Sequence, residues 1–168
     1  MGTTLDVLLV EDDAAAWWAH VGDSRIVLVR GGEARALTDD HTLIQQMLKG
    51  GLLSEQEATE HPKRHVLNRV VGRDSGVEAD VSPAPLALRD GDALVMCTDG
   101  LSDLVTLEET AYFASRNHPQ RASEKLVALA LQRGGHDNVT VQVIYKGRPP
   151  AAWKRITTAM DLRVPPAG

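Results

Sequence analysis

The sequence predicts an α+β domain built on antiparallel sheet, with a doubly wound parallel sheet as the alternative. Three observations carry this reading. Short β-prone runs follow one another over residues 4–37 with only tight turns between them, helical spacing dominates from Thr106 to Arg133, and a final strand returns before Tyr145. A parallel sheet would need strand and helix in regular alternation, which the chain lacks.

The elements justify themselves in order. Thr4 to Val10, Ala14 to Val21 and Arg25 to Val29 are β-prone runs, separated by the acidic Glu11-Asp12-Asp13 turn and by Gly22-Asp23-Ser24. Ala34 to Leu37 follows the Arg30-Gly31-Gly32-Glu33 turn. Thr38 to Gly51 then changes to helical spacing, with Leu43, Met47 and Leu48 on one face and Gly50-Gly51 as the stop. Ser54 and Glu57 have the spacing of a capping box, and residues 60–65 read as an exposed loop. Asp90-Gly91-Asp92 turns into an apolar strand, Ala93 to Thr98. Thr106 and Glu109 form a second capping box opening a helix to about Ser115, Ala122 to Arg133 is another helix, and His136 to Tyr145 is a strand. Ile144 breaks the polar alternation of that strand, which predicts cover on both faces near its end. Residues 1–146 are expected to be one domain, and the Pro-rich residues 147–168 a poorly ordered extension.

Composition narrows the function. The 168 residues are 43% hydrophobic and carry a formal net charge of -5. That balance offers no basic surface for nucleic acid or an anionic membrane, so neither is an expected partner. No apolar run approaches the ~18 residues of a membrane span, and the N-terminus lacks a basic segment and a cleavage site, so a cytoplasmic protein is expected. The single cysteine, Cys97, sits inside an apolar strand and reads as a packed thiol. The six histidines are scattered without zinc-type spacing and read mostly as surface residues.

Three aspartates share a context. Asp23, Asp99 and Asp137 each stand where a strand meets a turn, beside glycine or small polar residues that let a ligand approach the backbone. Any one alone would be an ordinary turn aspartate. Carboxylates gathered at a sheet rim repel one another unless a cation lies among them, and hard oxygen donors suit Mg²⁺ or Mn²⁺. Gly100 would let water or backbone crowd such an ion.

These residues belong to an ordered set: Gly22-Asp23-Ser24-Arg25, Asp40-His41, His61-Pro62-Lys63-Arg64 with Asn68-Arg69-Val70-Val71-Gly72, Cys97-Thr98-Asp99-Gly100-Leu101-Ser102-Asp103, and Gly134 to Val141. The set resembles the metal-dependent protein phosphatases of the PP2C type, in their bacterial Ser/Thr form. The resemblance implies an α-β-β-α sandwich of two antiparallel sheets flanked by helices. It also implies two Mn²⁺ or Mg²⁺ ions, a third in bacterial members, and water activated by metal that hydrolyses phosphoserine or phosphothreonine in proteins modified by an opposing Ser/Thr kinase. No protein nucleophile is implied.

By the same resemblance Asp99 and Asp137 match metal ligands, and Asp23 matches a ligand of the third ion. Arg25 would support the Asp23 turn, Asn138 would orient the Asp137 loop, and Asp103 would cap the turn before the Thr106 helix. His41 would be structural. Residues 42–72 correspond to the family's flap, where Lys63 and Arg64 either meet substrate or form a solvated loop. The family's first motifs, a phosphate-binding arginine with Asn-Glu-Asp and an Asp-Gly-Met-Gly-Gly whose aspartate bridges two metals, are not among these residues. The expectation is therefore a family domain without its N-terminal strands and helices, with open sheet edges and exposed apolar surface. That leaves two readings open, a phosphatase and a non-catalytic phosphatase-like binding module with residual metal affinity. A third reading, from the resemblance of Leu8 to Asp13 to the opening of a response-regulator receiver domain, fails because no strand-borne phosphoacceptor aspartate and no βα alternation follow.

Overall fold

The computed structural model describes residues 1–12, 14–72, 76–148 and 153. The elements run β1 (Leu5–Glu11), β2 (Ala15–Val21), β3 (Arg25–Arg30), β4 (Glu33–Ala36), α1 (Leu43–Lys49), α2 (Glu55–Glu60), β5 (Asp80–Val81), β6 (Leu86–Ala87), β7 (Ala93–Cys97), α3 (Asp99–Ser102), α4 (Leu107–Arg116), α5 (Pro119–Gln132) and β8 (Val141–Tyr145). They divide between two compact units, Met1–Arg25 with Thr38–Ala87, and Ile26–Leu37 with Leu88–Gly168. Among the described residues no helix is long and apolar enough to cross a membrane.

The first unit is organised by a sheet in which β2 pairs antiparallel with β1, β5 and β6. The β1/β2 ladder runs from Leu5 opposite Val21 to Glu11 opposite Ala15, and Asp12 takes the left-handed conformation of the intervening turn at φ 45°. An acidic side chain tolerates that region better than a branched one. The ladder also places Asp6 directly opposite His20, and the two side chains bond at 2.6 Å between Nδ1 and Oδ1. The other ring nitrogen reaches the Asp39 carbonyl at 3.1 Å, so both nitrogens of the buried ring face acceptors. Burial alone would lower the His20 pKa; the Asp6 carboxylate and the Asp39 carbonyl outweigh it and hold the pKa above the usual histidine value.

Residues 38–42 depart from the predicted helix because their polar groups are engaged elsewhere. Asp40 takes Arg25 in a two-pronged bond (2.8 and 2.7 Å), and the His41 N–H donates to the Gly22 carbonyl at 2.6 Å. Helix α1 therefore starts at Leu43, with Thr42 as its cap and Ile44 as its buried side chain rather than the predicted Leu43, Met47 and Leu48. The Ser54/Glu57 capping box of α2 is present as predicted. The two-residue strands β5 and β6 carry no periodic signal and were not anticipated.

The second unit has sheet order β4-β3-β7-β8, with antiparallel ladders joining β3 to β4 and β7 to β8. Val27, Val29, Ala93, Val95 and Cys97 of the sheet share one core with Leu101, Phe113, Ala114, Leu126 and Leu129, so the thiol is packed as predicted. Helix α4 opens on the predicted Thr106/Glu109 box. Arg133 then clamps the same Glu109 carboxylate with two bonds (2.7 and 2.6 Å), tying the end of α5 to the start of α4. Helix α5 begins earlier than predicted, with Pro119 in its first turn, where a missing N–H costs nothing. Strand β8 is shorter than predicted, and Ile144 is 39% exposed, which overturns the expected cover on both faces. Most of the predicted C-terminal extension lies outside the described residues; Trp153, which is described, stands edge-on to the Tyr145 ring at 4.8 Å.

Asp92, 2% exposed, receives a fork from Arg30 (2.9 and 2.7 Å) and the Arg89 amide at 2.8 Å. Burial would raise this carboxyl, but the Arg30 fork and the Arg89 amide overcome it and hold the pKa below the usual carboxylate range.

Two stability measurements follow from these pairs. Replacing Asp92 by Ala removes the buried carboxylate that takes the Arg30 fork and the Arg89 amide, and should cost about 2–4 kcal/mol in urea unfolding at pH 7. Because the folded pKa is depressed, that difference is present above the unfolded value near 3.9 and shrinks as pH falls through the folded one. The His20→Gln difference has the opposite sign. It should be largest below the unfolded histidine value near 6.5 and should fade as pH rises through the folded pKa.

Candidate metal centre

Two of the predicted carboxylates sit on loops that the backbone fastens together. Strand β7 ends at Cys97, and Thr98 continues its pairing, with its N–H donating to the Thr140 carbonyl at 3.1 Å. The Thr98 hydroxyl then donates to the Asn138 carbonyl and accepts from the Thr140 amide, both at 3.1 Å. Immediately beyond it, Gly100 lies so close to the same loop that a Cβ there would meet the Asn138 carbonyl oxygen at 2.4 Å. Asp99 thus stands between two residues locked to the segment that begins with Asp137.

Each carboxylate is also oriented by the chain that follows it. Asp99 Oδ1 accepts from the Gly100 amide at 2.8 Å, and Asp137 Oδ1 accepts from the Asn138 amide at 2.6 Å. Asp99 is half-buried and is the first residue of α3, a helical turn where the sequence predicts a turn. Asp137 and Asn138 are exposed. Asn138 serves the loop through its main chain, with its N–H on Asp137 and its carbonyl on Thr98. Asp103 is exposed and closes α3, its amide donating to the Asp99 carbonyl at 2.9 Å.

Asp23 lies in the first unit, in a buried turn held from two sides. His41 grips Gly22 twice, by its own amide and by accepting the Gly22 N–H at Nδ1 (3.2 Å), while the Thr4 and Ser24 hydroxyls bond at 3.0 Å. Gly22 has φ 118°, and a Cβ would meet Thr4 Cγ2 at 2.3 Å, so the turn accepts no other residue without rearrangement. Arg25 forks the carboxylate of Asp40, the residue that precedes His41.

His20 and His41 are the exceptions to the predicted surface histidines. Both are buried, with ring centroids 4.6 Å apart. Since Nδ1 of His41 accepts a proton, Nε2 can donate toward Asp80, 3.1 Å away, beside the 2.6 Å Arg69–Asp80 pair. Burial, helped by neighbouring His20 and Arg69, keeps the His41 pKa below its ordinary value despite Asp80. A cavity of about 410 Å³, lined by His41, Gln45, Lys49, Arg69 and Asp80 among others, opens beside this group. Lys63 and Arg64 are on an exposed loop, where the Arg64 guanidinium bonds the His65 ring and the Thr59 carbonyl.

The carboxylate chemistry of Asp99 and Asp137 suits a hard divalent cation. Among the described residues, however, no three His, Cys, Asp or Glu side chains are grouped so as to hold one ion. These residues alone do not close a ligand set. Thr98 was absent from the predicted site; a hydroxyl residue at the last strand position before Asp-Gly was the one sequence signal for it.

Fold and site together define two antiparallel sheets with carboxylate-bearing loops at strand ends. A family model, protein phosphatase 2C, matches residues 1–46. Protein phosphatase PhpP of Streptococcus pneumoniae is 37% identical over 145 residues, covering 86% of this chain and 58% of that protein. The serine/threonine phosphatase of S. agalactiae superposes with a TM-score of 0.81 at 37% identity, covering 88% of this chain and 60% of that one. The catalytic domain of the serine/threonine phosphatase PstP in complex with two manganese ions does so with a TM-score of 0.71 at 33% identity, over 85% and 58%. Over the segment it shares with these proteins, the chain is similar to PP2C-type protein phosphatases. It spans under two thirds of their length.

Gly100→Ala tests the clamp directly. The obstructing atoms are backbone, so the strand-end loops must separate, and urea unfolding should show a loss of about 1–3 kcal/mol.

Proposed function

We propose that this chain is part of a metal-dependent protein serine/threonine phosphatase, acting in the cytoplasm on phosphoserine and phosphothreonine proteins made by a Ser/Thr kinase. The observation that carries the reading is the Thr98–Asn138 clamp, which fastens the Asp99 and Asp137 loops together in a fold shared with named phosphatases. In this reading Asp99 and Asp137 hold Mn²⁺ or Mg²⁺, and Asp23 serves a further ion. Such ions, when bound, neutralise phosphate charge and lower the pKa of coordinated water. The protein's own contribution is to fix the carboxylates. The Gly100 and Asn138 amides each occupy one oxygen, Thr98 locks the loops, and His41 with Thr4 holds the Asp23 turn. Lys63 and Arg64 stand on the flap, available to a phosphopeptide.

The second reading is a phosphatase-like module that binds metal or a partner without turnover. It is favoured by the lack of any three-ligand group among the described residues.

Calorimetric Mn²⁺ titration of the 168-residue chain, followed by hydrolysis of a phosphothreonine peptide, separates the readings. Asp99→Asn should weaken Mn²⁺ binding by at least about 10-fold, while Asp103→Asn should leave it unchanged. Mn²⁺-dependent turnover that disappears in Asp99→Asn favours the enzyme; binding without turnover favours the module. Equal affinity in Asp99→Asn removes that residue from the ligand set.

A further inference from the structure

The polar cavity of the first unit is braced by its own walls. Its lining comes from residues 40–49, 68–69 and 78–80. Thr42 bridges Leu67, the Asn68 side chain donates to the Thr42 carbonyl (3.2 Å) and to the Gln46 side-chain oxygen (3.3 Å), and the Asn68 N–H donates to the His41 carbonyl at 3.0 Å. Arg69 and His41 then reach Asp80 from the same side of the cavity. None of these bonds draws on residues before Asp40. The volume of about 410 Å³ falls in the range of small-ligand sites, ~300–1,000 Å³.

The bases of the lining are already matched. Lys49 Nζ bonds Asp39 at 2.8 Å, and Arg69 bonds Asp80 at 2.6 Å, with His41 Nε2 on the second Asp80 oxygen. Asp40 takes the Arg25 fork. Glu78 is the exception. Among the described residues its carboxylate has no hydrogen bond or ion pair, and the side-chain amide of half-buried Gln45 is likewise unengaged.

That balance selects the ligand. An anion entering here would have to draw Arg69 or Lys49 away from its carboxylate. A divalent metal lacks ligands, since among the described residues no three His, Cys, Asp or Glu side chains are grouped to hold one. A guanidinium brings N–H donors only and pairs with a carboxylate through two parallel bonds, which suits a free glutamate beside an amide oxygen.

We propose that the cavity takes an arginine side chain of the phosphoprotein substrate, its guanidinium forked on Glu78 with Gln45 as a second acceptor. This rests on the phosphatase reading above, which supplies the phosphoprotein. His41 ties the two together within the first unit, because it lines the cavity and also grips Gly22, next to Asp23. The cavity then sets specificity by rewarding a basic residue close to the phosphorylated one.

Fluorescence anisotropy with labelled phosphothreonine peptides tests this on the 168-residue chain in metal-free buffer, where no turnover intervenes. One peptide carries arginine on both sides of the phosphothreonine; its counterpart carries citrulline, which keeps the shape and loses the charge. The arginine peptide should bind at least about 5-fold tighter at low ionic strength, and the advantage should shrink at about 0.5 M salt. Glu78→Gln should abolish the advantage and Glu78→Lys should reverse it, while Glu33→Gln, an exposed acid on β4, should leave it intact. Glu78 is exposed, so both variants should fold, which circular dichroism checks. Equal affinity for the two peptides, an advantage that survives in Glu78→Gln, or no binding of the arginine peptide up to ~1 mM overturns the proposal. Mn²⁺-dependent hydrolysis of the same peptides is scored separately: an arginine advantage without hydrolysis supports the cavity and counts against the phosphatase reading, and hydrolysis without the advantage does the reverse.

Discussion

The second unit depends on an approach that only glycine permits. With no Cβ at position 100, the Asn138 carbonyl comes within what would be 2.4 Å of a side-chain atom, and the β7 and β8 ends close on each other. Everything nearby takes its place from that closure. Thr98 extends the ladder with side-chain bonds, α3 turns directly off the strand, and Leu101 enters the apolar core at 1% exposure. The same step of backbone that carries Asp99 therefore also delivers a core residue. Position and stability are coupled at this point, as expected where function is built on rigid elements.

The first unit is held differently. Its buried side chains include His20, Asp23, Ser24, His41 and Thr42, so hydrogen bonds take a share of the work that apolar packing does in the second unit. The cross-strand Asp6–His20 pair anchors this network, and the Asp39 carbonyl extends it to the loop that carries Asp40 and His41. A buried network of this kind is costly when half satisfied and rigid when complete. It places a histidine whose ring faces two acceptors beside one that accepts an amide proton, so the neighbouring rings carry different protonation demands.

The sequence made the long elements legible because each has a local signature. The β1–β2–β3–β4 succession follows from turn residues, and α2 and α4 from capping boxes that the structure reproduces bond for bond. What escaped was set by partners distant in the chain. Residues 38–42 have helical spacing, yet Arg25, Gly22 and His20 claim their polar groups. β5 exists because Ala19 and His20 offer a ladder to Val81 and Asp80, and two residues are too few to show a period. In the candidate site Asp99, Asp137 and Asp23 were visible as motif residues. Their supports, Thr98, Thr4 and the Gly100 contact, were not, because a close approach between loops some forty residues apart leaves no trace in local pattern.

That division between ligand and support decides what a substitution at the site can mean. Asp99 contributes a carboxylate, while the distance between its loop and that of Asp137 is fixed by backbone and by Thr98. Changing the Asp99 carboxylate to an amide keeps an oxygen for the Gly100 N–H, so the clamp survives while the charge goes. A change at Gly100 or Thr98 does the reverse, keeping both charges and releasing the loops. A cation bound between the two loops would offset any repulsion between their carboxylates. A cation that relieves the repulsion should therefore stabilise this unit by mass action, and the effect should require both the charge at Asp99 and the clamp around it.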